Sequence, residues 1–147
     1  MEIDYFCWLF YIDKSIPIKN GAVFGIRAQK GINNSLFLEG EIGFSSTKDK
    51  ALFAKDGIVT NTNISLIFTL NKKGLRNFFT FGAGMLSFRK FNKNDTGATF
   101  NFGYGFFRKL TAFGDIRFDV RDFVGLNIYN KKMTHNWQST IGFQWRF

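Results

Sequence analysis

His135 is the only histidine in the 147 residues of this chain, and Ser139 follows it four positions later. A serine and a histidine could act as nucleophile and general base, provided that a carboxylate orients the imidazole. The last glutamate of the chain is Glu41, and a convincing set of nucleophile, base and orienting acid cannot be assembled around His135. The sequence therefore predicts a protein that is not an enzyme.

The single cysteine, Cys7, offers equally little chemistry. It excludes an intrachain disulfide, and one cysteine with one distant histidine does not make a metal-ligand cluster. The residues before it, Asp4-Tyr5-Phe6, do not resemble a lipoprotein box. We expect a packed, inert thiol at Cys7, and neither a metal nor a cofactor in this protein.

The chain is basic, with a formal net charge of +9 and a sequence pI of about 9.9, and 19% of its residues are aromatic. These are features of many nucleic-acid-binding proteins. Here, however, the basic residues are scattered over the segments between apolar runs, and the aromatic residues recur with the period of a β-strand. The pattern therefore argues against a nucleic-acid partner.

The length predicts a single domain over residues 1–147, and 21 Phe with one Pro favour strands with broad aromatic surfaces. The longest apolar stretch, Tyr5 to Ile12, is shorter than the roughly 18–20 residues of a spanning helix. With Glu2 and Asp4 before it, it does not resemble a signal peptide either. Eight strand-like runs are predicted, at Ile3–Ile12, Ala22–Lys30, Leu36–Ser45, Val59–Leu70, Phe78–Phe88, Ala98–Phe107, Ala112–Phe123 and Thr134–Phe147.

The segments between the runs alternate in length. Those after the second, fourth and sixth runs are short: Gly31–Asn34, Asn71–Arg76 and Arg108–Thr111. The other four are longer, as in Ser46–Gly57 and Gly125–Met133. Alternating short turns and long loops are typical of an antiparallel, up-and-down barrel with an even number of strands. The fifth run loses its phase at Leu86, which we interpret as a β-bulge.

Each readable run has an apolar face and a polar face. Glycines fall on the polar face, which favours a narrow interior there and a Phe-rich exterior. The opposite arrangement, apolar inside, would describe a soluble lipocalin-like barrel. The polar face carries four acids and four bases, and because buried charges must be paired, we expect them to form an ion-pair network in the lumen. These residues are Arg27, Glu39, Glu41, Asp115, Arg117, Asp119, Arg121 and Arg146.

The last run ends on an aromatic residue with alternating small or apolar and polar positions before it, Thr140-x-Gly142-Phe143-x-Trp145-x-Phe147. This motif resembles the C-terminal signal strand of bacterial outer-membrane β-barrels. The resemblance implies an all-β, eight-stranded, antiparallel, up-and-down transmembrane barrel with both termini in the periplasm. It also implies that Thr140, Gly142, Phe143, Trp145 and Phe147 are read by the barrel-assembly machinery.

A second resemblance lies in Phe106–Leu110 followed by Asp115–Phe123. It is similar to the penultimate hairpin of a small outer-membrane β-barrel domain family of deltaproteobacterial type, with an architecture like that of outer-membrane proteins A and X. The match is good over the last third of the chain and poor over the first third. That family has no established catalytic residues, so the resemblance implies none in this chain.

Together these patterns predict a non-enzymatic protein of the bacterial outer membrane with a filled, non-conducting lumen. It would be a structural or interaction protein, or a small subunit of a larger envelope complex. The alternatives are an outer-membrane lipid-modifying enzyme and a soluble lipocalin-like barrel. Expected partners are outer-membrane lipid and lipopolysaccharide, the assembly machinery and other envelope proteins. The loop bases either solvate the loops or contact anionic lipid: Lys48, Lys50, Lys55, Arg89, Lys90, Lys93, Lys131 and Lys132.

Overall fold

The computed structural model describes residues 2–11, 21–48, 56–72, 75–90, 93–112, 114–128 and 131–146. It is an all-β, antiparallel, up-and-down barrel, closed by pairing between the first and last strands. Its strands are β1 (Glu2–Tyr11), β2 (Gly21–Gly31), β3 (Leu36–Lys48), β4 (Asp56–Lys72), β5 (Leu75–Lys90), β6 (Lys93–Lys109), β7 (Gly114–Ile128) and β8 (Lys131–Arg146). Within these ranges we find no helix long and apolar enough to cross a membrane.

The period-two pattern of the sequence is also the period of burial. In β4, Asn61, Asn63 and Ser65 point inward and are buried, whereas Ile64 and Leu66 between them point outward and are exposed. Successive side chains of a strand point to opposite faces, so alternating residue types give each face its own chemistry. The barrel therefore has a polar interior and an apolar exterior, and the lipocalin-like arrangement does not describe it.

The strands are staggered as they pass around the barrel. Following register partners from Thr134 of β8 through β7, β6, β5, β4, β3, β2 and β1 leads back to β8 at Gln144. The ladder thus closes with a shift of ten residues (144 − 134). For eight strands, a stagger of this size corresponds to strands tilted by about 35–45° and to an interior that side chains can fill.

Several strands run further than the sequence pattern predicts. The predicted loop Gly125–Met133 is wrong, because β7 and β8 continue to pair from Gly125–Thr134 as far as Ile128–Lys131. The segment between β5 and β6 is likewise reduced, since Lys90 pairs with Lys93. Long connections remain after β1 and β3. The residues at these hairpin ends do not alternate between apolar and polar types, so the sequence pattern did not predict strands there. Strand pairing nevertheless satisfies their backbone hydrogen-bonding groups.

The β-bulge predicted at Leu86 is also wrong. The register of β4 with β5 passes through Leu86 without interruption, from Thr62–Met85 to Asn61–Leu86 and onward. Leu86 and Phe88 keep the phase of the strand and are buried inside the barrel. The apparent loss of phase arises because the interior becomes apolar at this end of β5.

Apolar residues fill both ends of the interior. Toward the short connections, Ile67, Phe78 and Phe107 form a buried cluster, with the Phe78 and Phe107 rings 4.6 Å apart between centroids. Toward the long-loop end, Val59 and Phe88 are register partners and are both buried. The polar part of the lumen therefore lies between two apolar layers.

Candidate functional site: a charged lumen within an apolar wall

Six charged side chains meet in the middle of the lumen, and we call them the lumen cluster. They come from β2, β3 and β7, and none is more than 3% exposed. Because β3 and β7 are not neighbours in the sheet, the bonds between them cross the interior. The members are Arg27, Glu39, Glu41, Arg117, Asp119 and Arg121.

Asp119 accepts four hydrogen bonds from other described residues. Its Oδ2 accepts hydrogen bonds from Arg117 Nε at 2.7 Å and from Arg27 Nη1 at 3.0 Å. Its Oδ1 accepts one from Arg121 Nε at 3.1 Å and another from Thr140 Oγ1 at 3.1 Å. One carboxylate thus accepts charge-assisted hydrogen bonds from three guanidinium groups, the stronger class of hydrogen bond.

The two glutamates of β3 accept hydrogen bonds from all three arginines of the lumen cluster. Arg121 Nη2 donates to Glu39 Oε1 at 2.6 Å, and Arg117 Nη1 donates to Glu39 Oε2. Arg27 Nε donates to Glu41 Oε2 at 2.6 Å. Neutral side chains extend the network: Gln29 donates to Glu39 at 2.6 Å and Asn61 donates to Glu41 at 3.0 Å.

Three arginines and three carboxylates give the lumen cluster a formal charge of zero. Removing a charged group from water has a large free-energy cost, which is offset only by well-placed charges of opposite sign. Here every member is paired: some of the ion pairs lie within β7 or between the neighbouring strands β2 and β3, and the others cross the interior from β7 to β2 or β3. The cluster therefore fills the middle of the interior and links β7 to β2 and β3 through it.

Glycines leave the space that the charged side chains of β7 require. Arg117 is the register partner of Gly142, Asp119 of Gly105, and Arg121 of Gly103. A Cβ atom at Gly103 would overlap the backbone of β7 and Cγ of Arg121. The pairing of large with small residues across neighbouring strands therefore sets how the cluster is packed.

Of the eight residues predicted for the lumen network, six form the lumen cluster, and a seventh, Asp115, is paired elsewhere in the interior. Asp115 is buried, and its Oδ2 accepts a hydrogen bond from Arg76 Nη2 at 2.7 Å. Sequence reasoning missed Arg76 because it assigned that residue to a turn; continuing the alternation of β5 backward from Phe78 would have placed it inside. The side chain of Arg146 lies outside the described part of the chain.

The exterior of the barrel is a wall of exposed apolar side chains. Phe100 is 55% exposed and Phe102 47%, while Arg117 on the inside is fully buried. A water-soluble monomer rarely exposes so continuous an apolar surface. Other members of the wall are Phe24, Ile26, Ile42, Phe44, Ile64, Leu66, Phe68, Phe79, Phe81, Phe118, Val120, Trp137, Ile141 and Trp145.

The C-terminal motif is divided between the two faces of β8. Thr140 and Gly142 point inward, where Thr140 contacts Asp119. Trp145 points outward, and its ring meets that of Phe143 edge-on at 4.5 Å between centroids. Phe147 lies outside the described residues. The role of these residues as an assembly signal stays a prediction.

The loop bases are only partly visible. Lys50 and Lys55 fall outside the described ranges, and Arg89 is exposed near the end of β5. The backbone places the other five at strand ends next to the long-loop side of the barrel, whereas their side chains are not described: Lys48, Lys90, Lys93, Lys131 and Lys132. Their contact with anionic lipid also stays a prediction.

One polar pair interrupts the apolar wall. Asp122 occupies an outward-facing position of β7 yet is only 2% exposed, and its Oδ2 lies 2.7 Å from His135 Nδ1 of β8. Its register partners are Phe102 and Trp137. Sequence reasoning noted His135 but not Asp122; the alternation of β7 would have shown an acid on the apolar face. Among the described residues, no group of three potential metal ligands occurs.

Comparisons with solved structures show the fold. Neisserial surface protein A has a TM-score of 0.82 at 12% identity, over 99% of this chain and 96% of that one. Ail of Yersinia pestis has a TM-score of 0.64 at 13% identity, over 99% and 97%. OprG of Pseudomonas aeruginosa has 0.64 at 10%, over 99% and 95%. The chain thus has the fold of the small outer-membrane β-barrels. No family model and no curated protein matches its sequence.

Proposed function

We propose that this protein is an integral β-barrel of the bacterial outer membrane with a filled, non-conducting lumen and no enzymatic activity. It would act as a structural or interaction protein, or as a small subunit of a larger envelope complex. The lumen cluster is the observation that carries the proposal. Hydrogen-bonded charges cross the interior and apolar layers lie at both of its ends, and these features support a lumen that does not conduct ions.

The apolar wall supports the membrane location. Hydrocarbon is the solvent in which an exposed surface of Phe, Ile and Leu is stable, and a closed barrel leaves no backbone edge unpaired within it. We propose that both termini lie in the periplasm, because the start of β1 and the end of β8 share one end of the barrel with three short connections, at residues 32–35, 73–74 and 110–113, whereas the long connections after β1 and β3 leave from the other end. In bacterial outer-membrane barrels, short turns face that side.

The geometry gives a lipid-modifying enzyme little support. His135 and Ser139 both point outward from β8, but four residues of strand separate their Cα atoms by roughly 13 Å. The side chain between them on that face is Trp137. A serine at that distance cannot donate its proton to the imidazole, so Ser139 is not a nucleophile for the pair of His135 and Asp122.

Two measurements on the purified protein test this proposal. In detergent, we expect the folded barrel to migrate differently on a gel before and after boiling, and in planar bilayers we expect no stable conductance. The Arg117→Ala variant serves as a matched sample in which the lumen cluster is incomplete. Good solubility without detergent would refute the membrane location, and discrete channel openings of the unmodified protein would refute the filled lumen.

The role of the last residue is tested separately in cells. Replacing Phe147 with Gln should lower the amount of heat-modifiable protein in the outer membrane, because the assembly machinery is proposed to recognise the terminal aromatic side chain. Replacing Ile141, an exposed residue on the same strand, with Val is the control. Equal yields of the Phe147 variant and the unmodified protein would remove the assembly proposal and leave the fold unaffected.

A further inference from the structure

A groove crosses the apolar wall on β2, β3 and β4. Its volume is about 980 Å³, and eight outward-facing residues line it. Ala28 and Gly40, which are register partners on neighbouring strands, form its floor. The outer surface of the barrel is therefore concave at this place. Larger exposed side chains stand around the floor: Phe24, Ile26, Ile42, Phe44, Thr62 and Ile64.

Gly40 leaves a space that the described part of the chain does not fill. A Cβ atom at Gly40 would meet nothing within 4 Å, whereas Cβ atoms at the inward-facing Gly82 and Gly103 would overlap neighbouring strands. The inner glycines thus make room for side chains of this protein, and Gly40 does not. A glycine inside a strand weakens the strand, and it often marks a place that a ligand or another backbone approaches closely.

The groove lies within the part of the wall that would face hydrocarbon. Trp137 and Trp145 are both exposed on β8, and tryptophans prefer the two interfaces of a membrane. Following the register partners and spreading the stagger evenly over the strands puts Thr62 about one residue below the level of Trp137, and Ala28 about two thirds of the way to Trp145. The groove therefore begins near the interface on the long-loop side and extends past the middle of the hydrocarbon layer, as an acyl chain of that leaflet does.

A second copy of the chain fits this groove poorly. Copies inserted in one orientation form a two-fold dimer only about an axis along the membrane normal, so residues at the same depth meet. Gly40 of one copy would then face Gly40 of the other, and two concave surfaces leave a gap between them. Eight lining residues are also fewer than the roughly 20–30 residues a side of a stable protein interface.

A hydrocarbon chain matches the groove better. All of its outward lining residues except Thr62, at its upper end, are apolar, so an occupant needs no polar groups. A chain lying along Gly40 would contact the floor and both sides, and would make more dispersion contacts than a chain against a convex part of the wall. We infer that the groove on β2–β4 binds the acyl chain of a membrane lipid. This inference rests on the proposed membrane location.

Isoleucine methyl groups provide a direct measurement. Ile26, Ile42 and Ile64 line the groove, whereas Ile141 on β8 is an exposed wall residue outside it, within about two residues of the same depth. Deuterated protein with protonated isoleucine methyl groups would be placed in phosphatidylcholine nanodiscs, one barrel in each, and the nuclear Overhauser effect from the chain methylene protons measured. A chain held in the groove moves less than the surrounding lipid, so the ratio of the effect at the groove methyls to that at Ile141 should exceed one.

Two variants separate the groove from the rest of the wall. Gly40→Leu fills the floor and should lower this ratio to one. The variant barrel should remain heat-modifiable, because a Cβ atom at this position meets nothing within 4 Å. Ala83→Leu adds a side chain at an exposed position of β5 outside the groove, and should leave the ratio unchanged.

A ratio of one in the unmodified protein, or an unchanged ratio in Gly40→Leu, would overturn the inference. Loss of the effect at the groove methyls in nanodiscs that hold two barrels would also overturn it, since a second copy would then be the preferred occupant. Each of these results leaves the proposed function standing if the barrel is heat-modifiable in detergent. Solubility without detergent would instead refute the membrane location, whatever the ratio.

Discussion

Asp119 and Asp122 lie three residues apart on β7 and point to opposite sides of its wall. Inside, Asp119 is within hydrogen-bonding distance of three arginines and a threonine. Outside, Asp122 has one close partner, His135, and an oxygen for which the described residues provide no hydrogen bond. The difference separates two uses of a buried carboxylate: the first maintains a filled interior, and the second supports a group that faces outward.

The largest effect is expected from removing the inner carboxylate. Asp119→Ala leaves three guanidinium groups close together without their shared partner, and should reduce the free energy of unfolding by about 5 kcal/mol. The midpoint of urea unfolding in lipid vesicles, followed by the heat-modifiable gel band, measures this loss. Ser139→Ala should leave the midpoint unchanged. Equal midpoints for Asp119→Ala and the unmodified protein would mean that the lumen cluster does not brace the barrel.

Arg117→Ala should have the next largest effect, a loss of about 3 kcal/mol. It removes one donor from Asp119 and one from Glu39, but Arg121 remains within reach of both carboxylates. Combining Arg117→Ala with Asp119→Ala in a double-mutant cycle should give less than the sum of the single losses, since both act on one network. A strictly additive result would contradict the coupling that the hydrogen bonds imply.

A smaller loss should follow from filling the space beside the cluster. Gly103→Val introduces side-chain atoms where a Cβ already meets the backbone of β7 and the stem of Arg121, and should destabilise the barrel by about 1–3 kcal/mol. The same unfolding measurement applies. Gly40→Val is the control, because a Cβ at Gly40 meets nothing within 4 Å. Equal effects of the two substitutions would show that the glycines are not there to make room for arginine.

The outer pair should contribute least to stability. Replacing both partners, Asp122→Leu with His135→Leu, removes polar groups from an apolar wall, and the midpoint should stay within about 1 kcal/mol of the unmodified protein or rise. This result would complete the contrast with Asp119. A large loss of stability would instead show that the outer pair, like the lumen cluster, is chiefly a structural element.

The strands and the orientation of the wall could be predicted because hydrophobic alternation extends through the middle of the barrel. Phe100 and Phe102 are exposed and Arg117 and Asp119 are buried, as the glycine and charge pattern indicated. Alternation shows which face of a strand points inward only where the surroundings inside and outside the barrel differ in polarity. At the strand ends both faces meet similar surroundings, so the prediction lost its phase at Leu86 and assigned a loop after Gly125.

Contacts across the barrel were less accessible to prediction. The balance of acids and bases indicated that the inward charges would be paired, but not that Arg27 of β2 would reach Asp119 of β7, or that Glu39 of β3 would accept from Arg117 and Arg121, because those contacts depend on which strands face each other. The stagger of ten residues decides this, and it is fixed by the whole ring of register partners. Asp122 was missed for a different reason: it stands within a run of alternating charges and is apparent only when each position is assigned to a face.

Closure of the ladder by β1 and β8 has a consequence for biosynthesis. β1 can complete its pairing only after β8 has been synthesised, because Asp4 of β1 and Gln144 of β8 are register partners. Until the final strand arrives, β1 exposes one unpaired edge and the growing sheet another, and such edges invite aggregation. Contacts between strands so distant in sequence also form slowly. The ladder therefore cannot close before β8 has been synthesised, and the two unpaired edges need protection from other chains until then.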